Sequence, residues 1–151
     1  MKVTELEKQI SEASSDKEKV DILNQFAYDI RYADSEKVLE LVSRARQIAV
    51  WIDYKPGVAN CWRIRGMANA ILCRHDQAFL DLHNALALFE EMQDTDMIAH
   101  CSSSIGVLYA KTGQYEAALE WQFKALATSE SRNLSGLSGA ILGNIGNLYV
   151  S

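Results

Sequence analysis

Residues 106–126 read GVLYAKTGQYEAALEWQFKAL, and this stretch determines the fold class of the chain. Between residues 65–87 and 105–127, six columns 40 residues apart are identical. They pair Gly66, Ala70, Ala78, Ala85, Leu86 and Ala87 with Gly106, Ala110, Ala118, Ala125, Leu126 and Ala127. The glycine column continues at Gly146. A fixed period of about 20–50 residues indicates a stack of supersecondary units that bury their apolar faces only against one another.

Apolar residues recur at helical spacing along the whole chain, and no segment shows sustained alternation of apolar and polar residues. Ser15 and Glu18 fit a capping box, which predicts a helix starting near Asp16. Either Asp34 or Ser35 can cap the helix after that. Because every connection is only a few residues long, sequential helices are expected to pack as antiparallel hairpins. The sequence therefore predicts an all-α fold.

Small residues indicate how each hairpin closes. Gly66 with Ala78, and Gly106 with Ala118, allow two helix backbones to approach closely. A bulky side chain at Gly106 is expected to overpack this contact and to cost about 1–3 kcal/mol or more.

Residues 106–126 resemble a tetratricopeptide repeat, with the small residue, aromatic residue, Gly–polar–Tyr turn and paired alanines of that family in order. Residues 66–86 resemble the motif more loosely. Residues 22–46 are the weakest copy and fit best with one residue lost before Val38. The resemblance implies a right-handed α-solenoid of antiparallel helix pairs behind an N-terminal helix at residues 1–15. The repeats span residues 16–151, divided at about 16–54, 55–93, 94–133 and a partial 134–151.

Composition argues against several classes of protein. The net charge of −5 disfavours nucleic-acid binding, which needs a basic surface to displace phosphate counterions. No run reaches about 18 apolar residues, and no signal sequence opens the chain, so neither membrane association nor secretion is expected. The three cysteines are odd in number and indicate free thiols in a reducing compartment. We expect a cytoplasmic protein.

The resemblance also implies a concave groove lined by the first helix of each repeat. Carried over column by column, the groove residues are Asn24, Gln25, Tyr28, Asn60, Arg63, Met67, His100, Ser103, Ser104, Val107, Asn144 and Asn147. Amide and guanidinium side chains can pair with the unsatisfied backbone groups of an extended peptide. The alternative is a solvated helix surface without a function. Arg63 is the best candidate to contact an acidic group on a ligand.

No catalytic, metal or cofactor site is expected. The sequence contains no phosphate-cradling glycine loop, nucleophile elbow or Cys–His catalytic pattern. His75, His83 and His100 do not form a metal set with the cysteines, since His100 and Cys101 are adjacent and point to different sides of a helix. An enzyme within these residues is the least favoured of three hypotheses.

The leading hypothesis is a non-catalytic module that binds a protein or peptide. Such a module resembles the N-terminal regulatory regions of bacterial signalling proteins that carry a nucleotide cyclase or histidine kinase. The alternative is a free-standing scaffold that holds a partner's peptide. The fourth repeat has only its first helix, so the chain is expected to be the N-terminal piece of a longer protein. The uncapped last helix leaves self-association as a further option.

Overall fold

The computed structural model describes residues 3–150, and the regular structure in that range is entirely helical. The prediction of an all-α fold is confirmed. The predicted domain limits at residues 1 and 151 lie outside the described residues. The eight helices found there are α1 (Val3–Glu12), α2 (Asp16–Asp29), α3 (Ser35–Trp51), α4 (Lys55–Ile71), α5 (His75–Glu91), α6 (Thr95–Lys111), α7 (Tyr115–Ser131) and α8 (Ser135–Val150).

The helices follow a strict spacing of 20 residues from α3 onward. Helices α3 to α7 are each 17 residues long, and the first residues of α3 to α8 are 20 positions apart. The 40-residue period of the sequence therefore contains two helices and two connections. Helix α2 is shorter, at 14 residues, and starts 19 positions before α3. The one residue missing from the weakest repeat copy accounts for the spacing of 19, while the shorter length of α2 goes with its longer connection, residues 30–34.

Each helix from α3 to α7 ends with the same turn. The connection has three residues, and its middle residue has a positive φ between 55° and 80°. The N–H of the next residue donates to a carbonyl five positions back at 2.8–2.9 Å, as in a Schellman motif. Gly113 occupies the left-handed position after α6. The corresponding positions in the other four turns hold Asp53, Cys73, Gln93 and Asn133.

Side-chain oxygens cap the N-termini of α2, α3 and α6. Ser15 accepts from the N–H of Glu18 at 3.1 Å, and Asp34 caps α3 by accepting from the N–H of Lys37 at 3.0 Å. Asp94 caps α6 in the same way. The predicted capping box at Ser15 differs in one detail. The Glu18 carboxylate accepts from the backbone N–H of Ser14, at 3.0 Å, and also from its hydroxyl.

The chain divides into two compact units, and the division falls within α5. Unit 1 comprises the described residues up to Ala85. In it, α1 packs on α2, α2 on α3, and α3 on α4, while α2 also contacts α4. Leu6, Val20, Leu23 and Ile64 are among its fully buried core residues. Unit 2 begins at Leu86.

Unit 2 repeats this packing order. Helix α6 packs on α7, α7 packs on α8, and α6 also contacts α8. Ala125, Ile141 and Ile145 form an apolar cluster between α7 and α8. None of the described helices combines the length and the apolar character needed to cross a membrane.

The small residues that recur every 40 positions in the chain produce close helix contacts in both units. A methyl group on Gly66 would lie 2.8 Å from Cγ of Leu82 and 3.3 Å from the carbonyl oxygen of Ala78. A methyl group on Gly106 would lie 2.8 Å from Nε2 of Gln122. The predicted neighbour of Gly106 was Ala118, but the nearest atoms belong to Gln122. This residue occupies the same repeat column as Leu82.

Candidate functional site

The sequence predicted that Asn24 lies on an open groove surface, but in the structure it is a core residue. It is 4% exposed. Its amide Nδ2 donates to the carbonyl oxygen of Gly57 at 3.3 Å, and its Oδ1 accepts from the thiol of Cys61 at 3.3 Å. Both partners belong to α4, because Asn24 lies on the same side of α2 as the buried Leu23 and Ala27. The side chain thus ties α2 to α4 and is not placed to meet a peptide.

Gln25 is exposed, as expected for a surface residue. Its amide Nε2 donates to Oδ1 of Asp29 at 2.9 Å, one helical turn further along α2. This local pair occupies one of the two N–H donors of the amide. Gln25 therefore has less hydrogen-bonding capacity for a ligand than the sequence alone suggested.

Three other predicted residues meet in unit 1, and two residues that the sequence did not single out join them. The guanidinium carbon of Arg31 lies 3.8 Å from the ring centre of Tyr28 and 4.7 Å from that of Tyr32. From α4, the guanidinium of Arg63 approaches the Tyr28 ring at 5.4 Å. Its Nη1 also contacts Sδ of Met67 at 3.6 Å. Two cationic groups therefore converge on one aromatic ring.

The same part of unit 1 contains buried polar atoms that lack a hydrogen-bond partner among the described residues. Among them are Nε of Arg31, a donor, and Oδ1 of Asn60, an acceptor. Asn60 precedes Arg63 by three positions, so both lie on the same side of α4. The backbone of a bound peptide offers the complementary carbonyl and N–H groups. We call the set Tyr28, Arg31, Tyr32, Asn60, Arg63 and Met67 the Tyr28 surface.

Arg31 and Tyr32 were missed because they fall outside the columns carried over from the resemblance; in the structure both follow the end of α2. Nη1 of Arg31 donates to the carbonyl oxygen of Tyr28 at 2.7 Å, which folds the side chain back over the helix end. The spacing of three residues between Tyr28 and Arg31 was the available signal. Tyr32 is 75% exposed, so the outer edge of the Tyr28 surface is open.

Ser103 in unit 2 is also a core residue, contrary to the sequence prediction. Its hydroxyl donates to Oε1 of Gln122 at 3.0 Å, and its carbonyl oxygen accepts from Nε2 of Gln122 at 3.0 Å. Gln122 is itself 1% exposed. These bonds join α6 to α7, so Ser103 serves the packing of unit 2. His100 and Ser104 are partly buried on α6.

A cavity of about 280 Å³ in unit 2 is lined by three of the predicted residues, Val107, Asn144 and Asn147. Asn144 and Asn147 line it from α8, and Val107 lines it from α6. Lys111 and Tyr115 complete its rim at the α6–α7 turn. His100 and Ser104 are not among its lining residues. The cavity offers amide groups and one ammonium group beside apolar walls.

The described residues contain no group of three or more histidine, cysteine, aspartate or glutamate side chains able to hold a metal ion. Burial raises the pKa of the Cys61 thiol to about 12, despite its hydrogen bond to Asn24. Cys61 therefore stays protonated near neutral pH and is a poor nucleophile, since the thiolate is the reactive form. Cys73 is exposed, and Cys101 is buried.

No protein-family model matches the chain, and no curated protein is significantly similar to it. The functional argument therefore depends on the contacts described above.

Proposed function

We propose that the chain is a non-catalytic binding module for an extended, acidic peptide segment of a partner protein. The Tyr28 surface carries this proposal, because it combines two arginines with a donor and an acceptor for which no described residue provides a hydrogen-bond partner. Guanidinium groups match carboxylates in a planar, two-pronged geometry. Peptide backbones supply the groups that the two buried polar atoms require.

The proposed pose follows from those atoms. An acidic side chain of the peptide lies between the guanidinium groups of Arg31 and Arg63. Because Nε of Arg31 and Oδ1 of Asn60 are buried, the proposed pose requires these two side chains to turn outward, where a carbonyl oxygen and an N–H of the peptide backbone pair with them. Buried polar groups without partners are unfavourable by about 1–3 kcal/mol each, so their satisfaction by a ligand favours binding. The exposed ring of Tyr32 gives an apolar contact at the edge.

The architecture that we propose is a right-handed solenoid of antiparallel helix pairs of the tetratricopeptide type. The 20-residue spacing of helices α3 to α8 and the repeated left-handed turn residues support it. So does the shared column of Gly66 and Gly106, each against a buried side chain of the next helix. Repeat architectures of this kind commonly bind partners on extended surfaces.

The proposed wider role, as the regulatory region of a bacterial signalling protein, follows from the sequence resemblance alone. In such a role, a peptide or partner that binds one conformation more tightly shifts the population toward it. A downstream domain would respond to that shift. Association of the chain with such a domain in its natural polypeptide tests this part separately.

Selection from a random peptide library tests the binding function. Immobilised wild-type chain and an Arg31→Gln, Arg63→Gln variant are panned in parallel with random peptides of about ten residues, long enough to cross the Tyr28 surface when extended. We expect the wild type to enrich sequences containing Asp or Glu, and the variant not to. Failure to enrich any sequence, or equal enrichment of acidic sequences on both proteins, contradicts the proposal.

A further inference from the structure

A second cavity, of about 910 Å³, opens in unit 1 on another side of α4. Arg65 lines this cavity and follows Arg63 by two positions, which turns it by roughly 200° around the helix axis. The cavity therefore lies away from the Tyr28 surface. Its walls come from α3, from α4 and from the α4–α5 connection with the start of α5. Its volume lies within the range of about 300–1,000 Å³ that is typical of small-molecule sites.

Three arginines from these three elements line the cavity: Arg46, Arg65 and Arg74. The guanidinium carbon of Arg46 lies 4.7 Å from the ring centre of Trp62, and that of Arg65 lies 5.7 Å from the same centre. The two cations are therefore no further apart than the sum of these distances. Among the described residues, Arg46 has no ion-pair partner.

Arg65 is held in place by a buried polar network. Its Nε lies 3.4 Å from Oδ2 of Asp81, whose side chain is fully buried. Asn69 donates to Oδ2 of Asp81 at 2.9 Å, and Gln77 donates to its Oδ1 at 2.8 Å. Nε is the Arg65 nitrogen nearest to Asp81, and no hydrogen bond joins the terminal guanidinium nitrogens to another described residue, which leaves them for a ligand. Such support reduces the entropy lost on binding.

The start of α5 adds further positive potential. This helix begins at His75, directly after Arg74, and an arginine side chain has no acceptor with which to cap the first N–H groups. Helix N-termini favour anions. His75 also lines the cavity, and its Nδ1 is buried without a hydrogen-bond partner among the described residues.

Three carboxylates lie near these cations and limit the net charge of the site. Asp81 is buried behind Arg65, and its oxygens are satisfied by the network above. Glu36 pairs with Arg74 at 2.9 Å, but both side chains are about half exposed, and such exposed pairs are only weakly stabilised. Asp76 lines the cavity. The lining itself therefore contains three arginines and one carboxylate, Asp76, while Asp81 and Glu36 pair with two of these arginines from outside the lining.

From this arrangement we infer that the cavity binds a small organic phosphate monoester. A phosphate monoester presents three oxygens in different directions, whereas a carboxylate presents two in one plane. Guanidinium groups from three elements and the start of α5 match the former. The cavity is much larger than a phosphate group, and Trp62 and Leu39 provide walls for the organic part. This site is independent of the proposed peptide site.

Protection of Cys73 from alkylation tests the site, with phenyl phosphate as the probe. Cys73 and Cys61 both line the cavity, but only Cys73 is exposed; Cys61 is buried, as is Cys101. The rate of Cys73 modification by iodoacetamide is followed by peptide mass spectrometry as phenyl phosphate is added. We expect a saturable slowing with phenyl phosphate and none with phenol. Calorimetric titration with the same probe provides a readout that does not depend on Cys73.

Matched variants locate the effect. We expect Arg46→Gln and Arg74→Gln each to raise the concentration for half-protection about tenfold, the loss expected for one charge-assisted hydrogen bond. Arg44→Gln is the control, because Arg44 lies on the same helix but pairs with Glu7. We expect this variant to behave as the wild type.

Three results would overturn the inference. The first is the absence of both protection and heat of binding at millimolar phenyl phosphate. The second is protection by benzoate equal to that by phenyl phosphate. The third is an effect of Arg44→Gln equal to that of Arg46→Gln or Arg74→Gln. Failure of the peptide proposal is distinguishable from failure of this one. The Arg31→Gln, Arg63→Gln variant keeps its phenyl phosphate binding if this site exists, whatever happens to peptide selection.

Discussion

The guanidinium group of Arg31 lies over the ring of Tyr28, with its central carbon 3.8 Å from the ring centre. Arg63 reaches the same ring from a neighbouring helix. Tyr28 therefore positions both cations of the proposed peptide site, and a contact of this kind contributes about 0.5–2 kcal/mol. The ring, and not the hydroxyl group, makes these contacts.

Replacement of the Tyr28 ring should consequently weaken peptide binding. For a library-selected acidic peptide, we expect Tyr28→Leu to raise the Kd about fivefold or more, because both guanidinium groups lose their support. Tyr28→Phe retains the ring and should bind as the wild type does. Fluorescence anisotropy with the labelled peptide measures both. Equal losses in the two variants would show that the ring does not carry the effect.

Alanine substitutions at Gly66 and Gly146, the first and last glycines of the repeat column, should have opposite effects on the free energy of unfolding. Gly66→Ala places a methyl group 2.8 Å from the buried Cγ of Leu82, so we expect a destabilisation of about 1–3 kcal/mol, reduced by the better helix propensity of alanine. At Gly146, no described atom lies within 4 Å of the added methyl group. Gly146→Ala should be neutral or stabilising by up to about 1 kcal/mol. Urea unfolding of both variants measures the difference, and equal effects would contradict the close contact at Gly66.

The buried pair Ser103–Gln122 should show strong coupling. Ser103→Ala leaves Oε1 of Gln122 without its donor, so we expect a loss of about 1–3 kcal/mol in the free energy of unfolding. Adding Gln122→Leu removes the orphaned amide and introduces the residue found in the same column at position 82. The double variant should recover part of that loss. A double-mutant cycle by denaturant unfolding measures the coupling, and strict additivity would argue against the pair.

The raised pKa of Tyr54 should make the folded state less stable as the pH rises into the alkaline range. Burial, followed by its hydrogen bond to Asp21 at 2.8 Å, raises the pKa of Tyr54 to about 12. A tyrosine in the unfolded chain titrates near pH 10. Because the folded-state pKa is raised, the contribution of Tyr54 is fully present below about pH 10 and is lost as the pH rises toward 12.

The Tyr54→Phe variant isolates this contribution. We expect the free energy of unfolding of the wild type to fall more steeply between about pH 10 and 12 than that of the variant. Urea unfolding across that range measures both slopes. Parallel pH profiles would show that the phenol is not protected in the folded chain.

The period and helical character of the chain were predictable because they depend on residues that recur in fixed columns. Gly66 and Gly106 show this, as each meets the next helix at the same position. The shared turn was not predictable. Gly113 is an ordinary choice for a positive φ, but Asp53, Cys73, Gln93 and Asn133 adopt the same conformation without any common sequence signal. There the repeated helix geometry determines the backbone.

The candidate sites were less predictable, because a polar residue gives no direct indication of whether it is buried. Asn24 and Ser103 occupy columns expected to face a ligand, yet each hydrogen-bonds a neighbouring helix within its own unit. Arg31 lies beyond the end of α2 and enters the site only because it folds back over Tyr28. The cavity near Arg46 combines residues from three elements, which no local pattern in the sequence connects.

The affinity of a selected acidic peptide for the Arg63→Glu variant tests the central proposal most directly. The control is Lys8→Glu, which makes the same charge change at an exposed position on α1. Calorimetric titration should show a Kd raised at least about tenfold in Arg63→Glu, since a favourable ion pair becomes a repulsive one, and little change in Lys8→Glu. If Arg63→Glu binds the peptide as tightly as the wild type does, the Tyr28 surface is not the binding site.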